Sequence, residues 1–177
     1  MARAVSQLFT AGLREPAGFD EYSGMEVNEP GLAKPGGEVS PQAHTILLRV
    51  RYSDTDQMGT FYNSRPLEWF ECGRTELLRH LGLPYAQMEA RGVFLPLVEA
   101  HVEYLGRAKY DDLLQLTTTA SLAGRARLRC DALANLAETG KLVVKGHTIH
   151  AFADAHGRAI RPPPWLLDRI FGGRREA

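Results

Sequence analysis

Two aspartates one residue apart, Asp54 and Asp56, open the turn Asp54-Thr55-Asp56-Gln57-Met58-Gly59, which runs into a helical stretch beginning near Ser64. A carboxylate beside a helix N-terminus is suited to attack on, or hydrolysis of, an activated carbonyl. The first N–H groups of a helix have no partner within it, and the helix dipole favours negative charge there. A carbonyl oxygen seated on those groups is polarised where charge grows in the transition state, while the carboxylate attacks the carbon or activates water. Losing one such donor commonly costs roughly 10²–10³ in rate. Gly59 lets the backbone turn tightly beside a ligand. The same aspartates also suit a plainer role as turn formers or caps, and their spacing alone does not separate the two.

Other chemistry-bearing residues are scattered. Glu68, Glu71 and Glu76 lie along the helix that follows, where glutamate is a good helix former on a solvated face. Arg107 and Lys109 share one turn, and Arg125, Arg127 and Arg129 share one face of a strand; both suit phosphate or plain solvent exposure. His101, His147 and His150 fall within strands without an acidic ligand at metal spacing, so no metal site is expected. No glycine-rich phosphate loop, G-x-S-x-G elbow or Cys–His arrangement is present.

The elements that must position these residues follow from periodicity. His44–Tyr52 is β-rich and ends in the polar turn. The helix is expected over about 64–81, with Leu67, Phe70, Leu77, Leu78 and Leu81 on its apolar stripe, Pro66 in the first turn and Gly82 past the end. Pro84 starts a shorter helical piece, Tyr85 to Ala90. Strands are then expected at Val93–Leu105, Leu113–Leu122, Arg125–Leu136 and Lys141–Asp154, joined by tight turns. Pro162-Pro163-Pro164 stops the last strand, and Trp165 to Phe171 suits a short closing helix. One long helix followed by an antiparallel meander is an α+β layout whose sheet, of about five strands, must wrap the helix.

The chain has 177 residues, 21 basic and 21 acidic, and an apolar share of 44%. That is one ordinary globular domain without the charge bias of a nucleic-acid or membrane-surface binder. Residues 1–43, rich in Pro and Gly at 29–38, read as an irregular extension; 44–161 read as the domain and 162–177 as a tail. Cys72 and Cys130 read as free thiols of a reducing compartment. With no apolar run of membrane-spanning length and no secretory signal, the expected location is the cytoplasm.

Asp54–Gly59, followed by Phe61-Tyr62-Asn63 and by Leu67–Glu76, resembles the 4-hydroxybenzoyl-CoA thioesterase family of hotdog proteins, which includes the short acyl-CoA thioesterases associated with the Tol-Pal system. Val102–Asp112 resembles that family's second signature, and the likeness covers about residues 44 to 160. It implies a hotdog fold and hydrolysis of an acyl-CoA or acyl-carrier thioester, with no cofactor beyond the substrate's own CoA. It also implies Asp56 as nucleophile or general base, and the backbone N–H of Asn63 as the carbonyl-polarising donor. Met58, Gly59, Phe61 and Tyr62 would lie around the acyl group with Trp69, and Arg107 and Lys109 would meet the CoA phosphates. A homodimer or homotetramer with sites at its interfaces is implied as well. The chain departs from the family by having Asn63 where many members have His, and Arg65-Pro66 where they have Asn-Tyr, which bears on substrate preference. A related group places a catalytic Glu on the helix, making Glu68 or Glu71 the rival base. The alternatives are a hotdog dehydratase or hydratase, for which no histidine stands near the turn, and a non-catalytic acyl-thioester binder.

Overall fold

The computed structural model describes residues 42–172. The expected N-terminal extension, up to residue 41, lies outside them, as do residues 173–177. The elements are β1 (Ala43–Arg49), α1 (Arg65–His80), α2 (Tyr85–Ala90), β2 (Leu97–Tyr104), β3 (Leu113–Leu122), β4 (Arg127–Leu136), β5 (Leu142–Ala151) and α3 (Pro164–Phe171), with a single 3₁₀ turn at Tyr52–Asp54. Five antiparallel strands form one sheet in the order β1-β3-β4-β5-β2. Only β3, β4 and β5 make the expected meander. The expected tight turn after β2 is instead a crossing segment, residues 105–112, that leads from one edge of the sheet to β3 beside the other edge. It begins with the N–H groups of Leu105 and Gly106 both donating to the Val143 carbonyl at 2.9 Å.

Helix α1 has the expected ends. Pro66 sits in the first turn, where a missing N–H costs nothing, and Gly82 just past the end has φ +74°, a conformation that glycine adopts without strain. Its buried face differs from the expected stripe. Trp69, Phe70, Gly73, Arg74, Leu77 and Leu78 are buried, while Leu67 is 39% exposed and Leu81 only partly covered. The helix has rotated toward a face that includes a glycine and an arginine, because Gly73 is what lets it lie close to the sheet. A Cβ there would stand 2.3 Å from Thr118 Oγ1 and 3.0 Å from Leu116 Cδ2.

Two apolar clusters fill the space between α1 and the sheet. Trp69 and Phe70 pack with Val50, Phe61, Leu114, Leu116 and Val144 under the first half of the helix. Leu77 and Leu78 pack with Met88, Leu128, Phe152, Leu166 and Ile170 under the second half, so that α2 and α3 close that end. Each large side chain fully buried there contributes about 1.5–3 kcal/mol. The expected run Val93–Leu105 is broken: Phe94 pairs with Ala153, Pro96 interrupts the ladder, and a register shift follows between Leu97 and Glu99.

Candidate active site

The two aspartates of the turn have opposite surroundings. Asp54 is fully buried. Its carboxylate accepts the Arg51 N–H at 2.8 Å and the Arg51 guanidinium at 2.8 and 3.1 Å, with Arg65 Nε 3.9 Å away. Burial pushes this carboxyl up, but the hydrogen bonds and charge of Arg51, with the charge of Arg65, outweigh it and hold the group below the usual carboxylate range. Arg51 and Arg65 both continue to Glu68. Asp54 is thus the centre of a network tying the end of β1 to the first turn of α1, and its backbone carbonyl accepts the Tyr62 N–H at 2.7 Å.

Asp56 is only partly buried and has no ion-pair partner among the described residues. Its Oδ1 accepts the Met58 N–H at 2.8 Å, its own N–H donates to the Thr60 carbonyl at 2.9 Å, and its carbonyl accepts the Gly59 N–H at 3.1 Å. These bonds close a small hairpin-like loop with Thr55 opposite Phe61, and Gly59 at its tip has φ +67°. Asp56 borders an open groove of ≈ 610 Å³ shared with Tyr52, Thr55, Gln57, Gly59, Lys109 and Tyr110. Tyr52 and Tyr110 meet edge to face with their centroids 5.6 Å apart.

The crossing segment brings the second motif to this loop. Val50 and Phe61 donate to the carbonyls of Asp112 and Ala108 at 2.9 and 3.1 Å, and Asp111 donates to Val50 at 2.9 Å. The Arg107 guanidinium donates to the Met58 carbonyl, and Lys109 lines the groove. Of the eight site residues expected from sequence, Asp56, Gly59 and Lys109 therefore share the groove, while Met58 and Arg107 are hydrogen-bonded to each other but are not part of its lining. Phe61 is buried instead, packed on Trp69 at 5.0 Å within the core. Tyr62 and Asn63 are exposed at the helix N-terminus and are not part of the groove lining. The Asn63 N–H has no hydrogen-bond partner among the described residues, while its carbonyl accepts the Tyr104 hydroxyl.

Of the helix carboxylates, Glu68 is engaged by two guanidinium groups, whereas Glu71 is exposed and in no ion pair among the described residues. Tyr52, Thr55, Gln57, Tyr110 and Tyr104 had no distinguishing signal of their own in the sequence, although all five lie within or beside the two motifs. Among the described residues no three His, Cys, Asp or Glu are arranged to hold a metal ion. His150 is buried, and its pKa is pushed down to about 4 by that burial and by the charge of Arg74. Its Nδ1–H donates to the Leu95 carbonyl at 3.1 Å, which can only accept, so its neutral Nε2 takes the Thr148 hydroxyl at 3.0 Å. That makes it a tie between β5 and the segment before β2.

The family model described as "Thioesterase-like superfamily" matches residues 50–170, which take in the turn, α1, the crossing segment and the whole sheet except β1. The chain belongs to this superfamily. Bacillus subtilis YneP is 46% identical over 57 residues, 32% of this chain and 41% of YneP, so the likeness spans less than half of that relative. The acyl-CoA thioester hydrolase YbgC of Escherichia coli O157:H7 is 31% identical over 93 residues, 52% of this chain and 69% of that one. A 4-hydroxybenzoyl-CoA thioesterase in complex with 4-hydroxybenzoyl-CoA has the same fold, with TM-score 0.67, 22% identity, and coverage of 73% of this chain and 99% of that one. The five-stranded antiparallel sheet against α1 is therefore the hotdog fold of the thioesterase-like superfamily.

Proposed function

We propose that this member of the superfamily is an acyl-CoA thioesterase that releases a free acid and CoA, with Asp56 as its working carboxylate. The observation that carries this reading is the contrast between the two aspartates. Asp54 is locked to Arg51 and Arg65, whereas Asp56 lines an open groove and forms no ion pair among the described residues. Asp56 serves either as the nucleophile, forming an acyl anhydride as the CoA thiolate leaves, which water then hydrolyses to the free acid and the carboxylate, or as the base that takes a proton from the water attacking the thioester. In both cases a donor is needed for the carbonyl oxygen, and the unpartnered Asn63 N–H at the start of α1 suits it. Engagement of Glu68 by Arg51 and Arg65 disfavours it as the rival base.

Met58, Gly59 and Tyr62 are read as neighbours of the acyl group, with Phe61 supporting them from the core. Arg107 and Lys109 are read as the cations for the phosphates of CoA. Strand β2 is an open edge, exposed from Leu97 to His101, so a second copy pairing there would satisfy its outward backbone groups. A homodimer is the proposed assembly, in the cytoplasm; no helix among the described residues is long and apolar enough to cross a membrane. The test is thiol release across short, medium, long and aromatic acyl-CoAs, with Asp56→Asn alongside. Turnover by the parent and its loss in the variant support the reading. Binding without turnover across the panel would instead make the chain a thioester binder.

A further inference from the structure

Asn63 is held by two bonds that reach it from opposite sides. On its N-terminal side the Tyr62 carbonyl accepts the Arg65 N–H at 3.0 Å. A trans peptide is planar, with its N–H and C=O pointing opposite ways. That bond therefore aims the Asn63 N–H away from the helix. On the C-terminal side, an unbroken α-helix would give the Asn63 carbonyl the N–H of Leu67, but Leu67 donates to Ser64 at 3.3 Å. The Asn63 carbonyl takes the Tyr104 hydroxyl instead, at 2.5 Å. Tyr104 is the last residue of β2, on the far edge of the sheet from β1, and its ring lies on Phe61 with centroids 6.2 Å apart and planes 19° from parallel. The ring is thereby held in place, and the hydroxyl arrives from an element other than the motif loop or the helix.

We propose that Tyr104 is a positioning residue for the Asn63 N–H: its hydroxyl anchors the Asn63–Ser64 peptide to β2 and so fixes the direction of the preceding donor. This rests on the reading of Asn63 as the carbonyl-polarising group. Rotation about the two soft backbone dihedrals of Asn63 is what would misdirect that N–H, and the Tyr104 bond restrains one side of it. Both Tyr104 and Asn63 are exposed, so water can replace the lost partner when the hydroxyl is removed. Folding then changes little, while a misaligned donor weakens transition-state binding.

The deciding variant is Tyr104→Phe, which keeps the ring on Phe61 and deletes only the hydroxyl. Against the best acyl-CoA of the panel, kcat is expected to fall about tenfold, well short of the loss of a whole donor, with KM within about twofold. Two CoA analogues supply a second readout. A trifluoromethyl ketone, bound as its tetrahedral hydrate, is expected to lose about tenfold in affinity with kcat. The matching thioether, which has no carbonyl oxygen, is expected to bind unchanged. Unaltered kcat and ketone affinity would overturn the proposal, as would equal losses for both analogues, which mark a merely structural role. If no thioester is turned over, the two analogue affinities decide it alone. Parental activity in Asp56→Asn would strike the reading of the carboxylate and leave the Tyr104 comparison standing.

Discussion

Gly73 of α1 lies directly on Thr118 of β3, so close that a Cβ at Gly73 would come within 2.3 Å of the threonine hydroxyl. Gly→Ala in a helix interior ordinarily stabilises by about 0.5–1 kcal/mol. Here the contact wins, because overpacking a tight core typically costs about 1–3 kcal/mol. Gly73→Ala is expected to lower the unfolding midpoint in urea. Thr118→Ala should recover part of that loss, since the Thr118 hydroxyl is buried without a partner and its removal leaves nothing unsatisfied. Additive effects of the two substitutions would contradict this packing.

The two aspartates should separate stability from activity. Asp54→Asn breaks a buried, paired carboxylate and is expected to destabilise by about 2–4 kcal/mol. Asp56→Asn removes a carboxylate with no ionic partner among the described residues and should leave the unfolding free energy within about 0.5 kcal/mol of the parent while abolishing thiol release. Urea unfolding and a thiol-release assay on both variants make the comparison.

Glu68→Gln addresses one of the two rival bases, Glu68 and Glu71. Glu68 is held by Arg51 and Arg65, so the substitution should keep kcat within about fivefold of the parent. A loss of a thousandfold with the fold intact would move the chemistry from Asp56 to the helix.

His150 sets an acid limit on stability. Its pKa is about 4 in the folded protein and ~6.5 when unfolded. Above ~6.5 both states are neutral there and its contribution is complete. As pH falls toward about 4 the unfolded chain takes up the proton first, so stability is lost across that window, by at most about 1.4 kcal/mol per pH unit. Asp54, with its lowered pKa, adds a loss only at lower pH, below the ordinary carboxylate range near 3.9. Between pH 7 and 5, His150→Asn should therefore flatten the dependence of unfolding free energy on pH. An unchanged slope would show that His150 does not carry it.

The ends of α1 and the span of β3 were legible from local signals. Pro66 and Gly82 mark helix ends by their own backbone chemistry, and Leu113–Leu122 is bounded by the turn residues Asp111-Asp112 and Ala123-Gly124. The buried face of α1 was not, because counting apolar residues passes over Gly73 and Arg74, whose burial depends on what the sheet presents to them. The place of β2 beside β5 was hidden for a related reason: strand pairing is set by partners 40 to 53 residues away. At the site, the spacing of Asp54, Asp56 and Gly59 gave the loop, but not which aspartate is buried. That depends on Arg51 and Arg65 closing on Asp54 from both sides. Tyr104 lies within the second motif, but nothing local tied it to Asn63, since that contact exists only once β2 has reached its edge.

The motif loop and the crossing segment are stitched together at Val50, Phe61 and Asp111, with the Thr60 hydroxyl adding a bond to the Ala108 carbonyl at 3.3 Å. For transplantation into another scaffold, the portable unit is therefore a two-part cassette, residues 50–63 with 104–112. A graft of the first part alone would arrive without the rail that sets its shape.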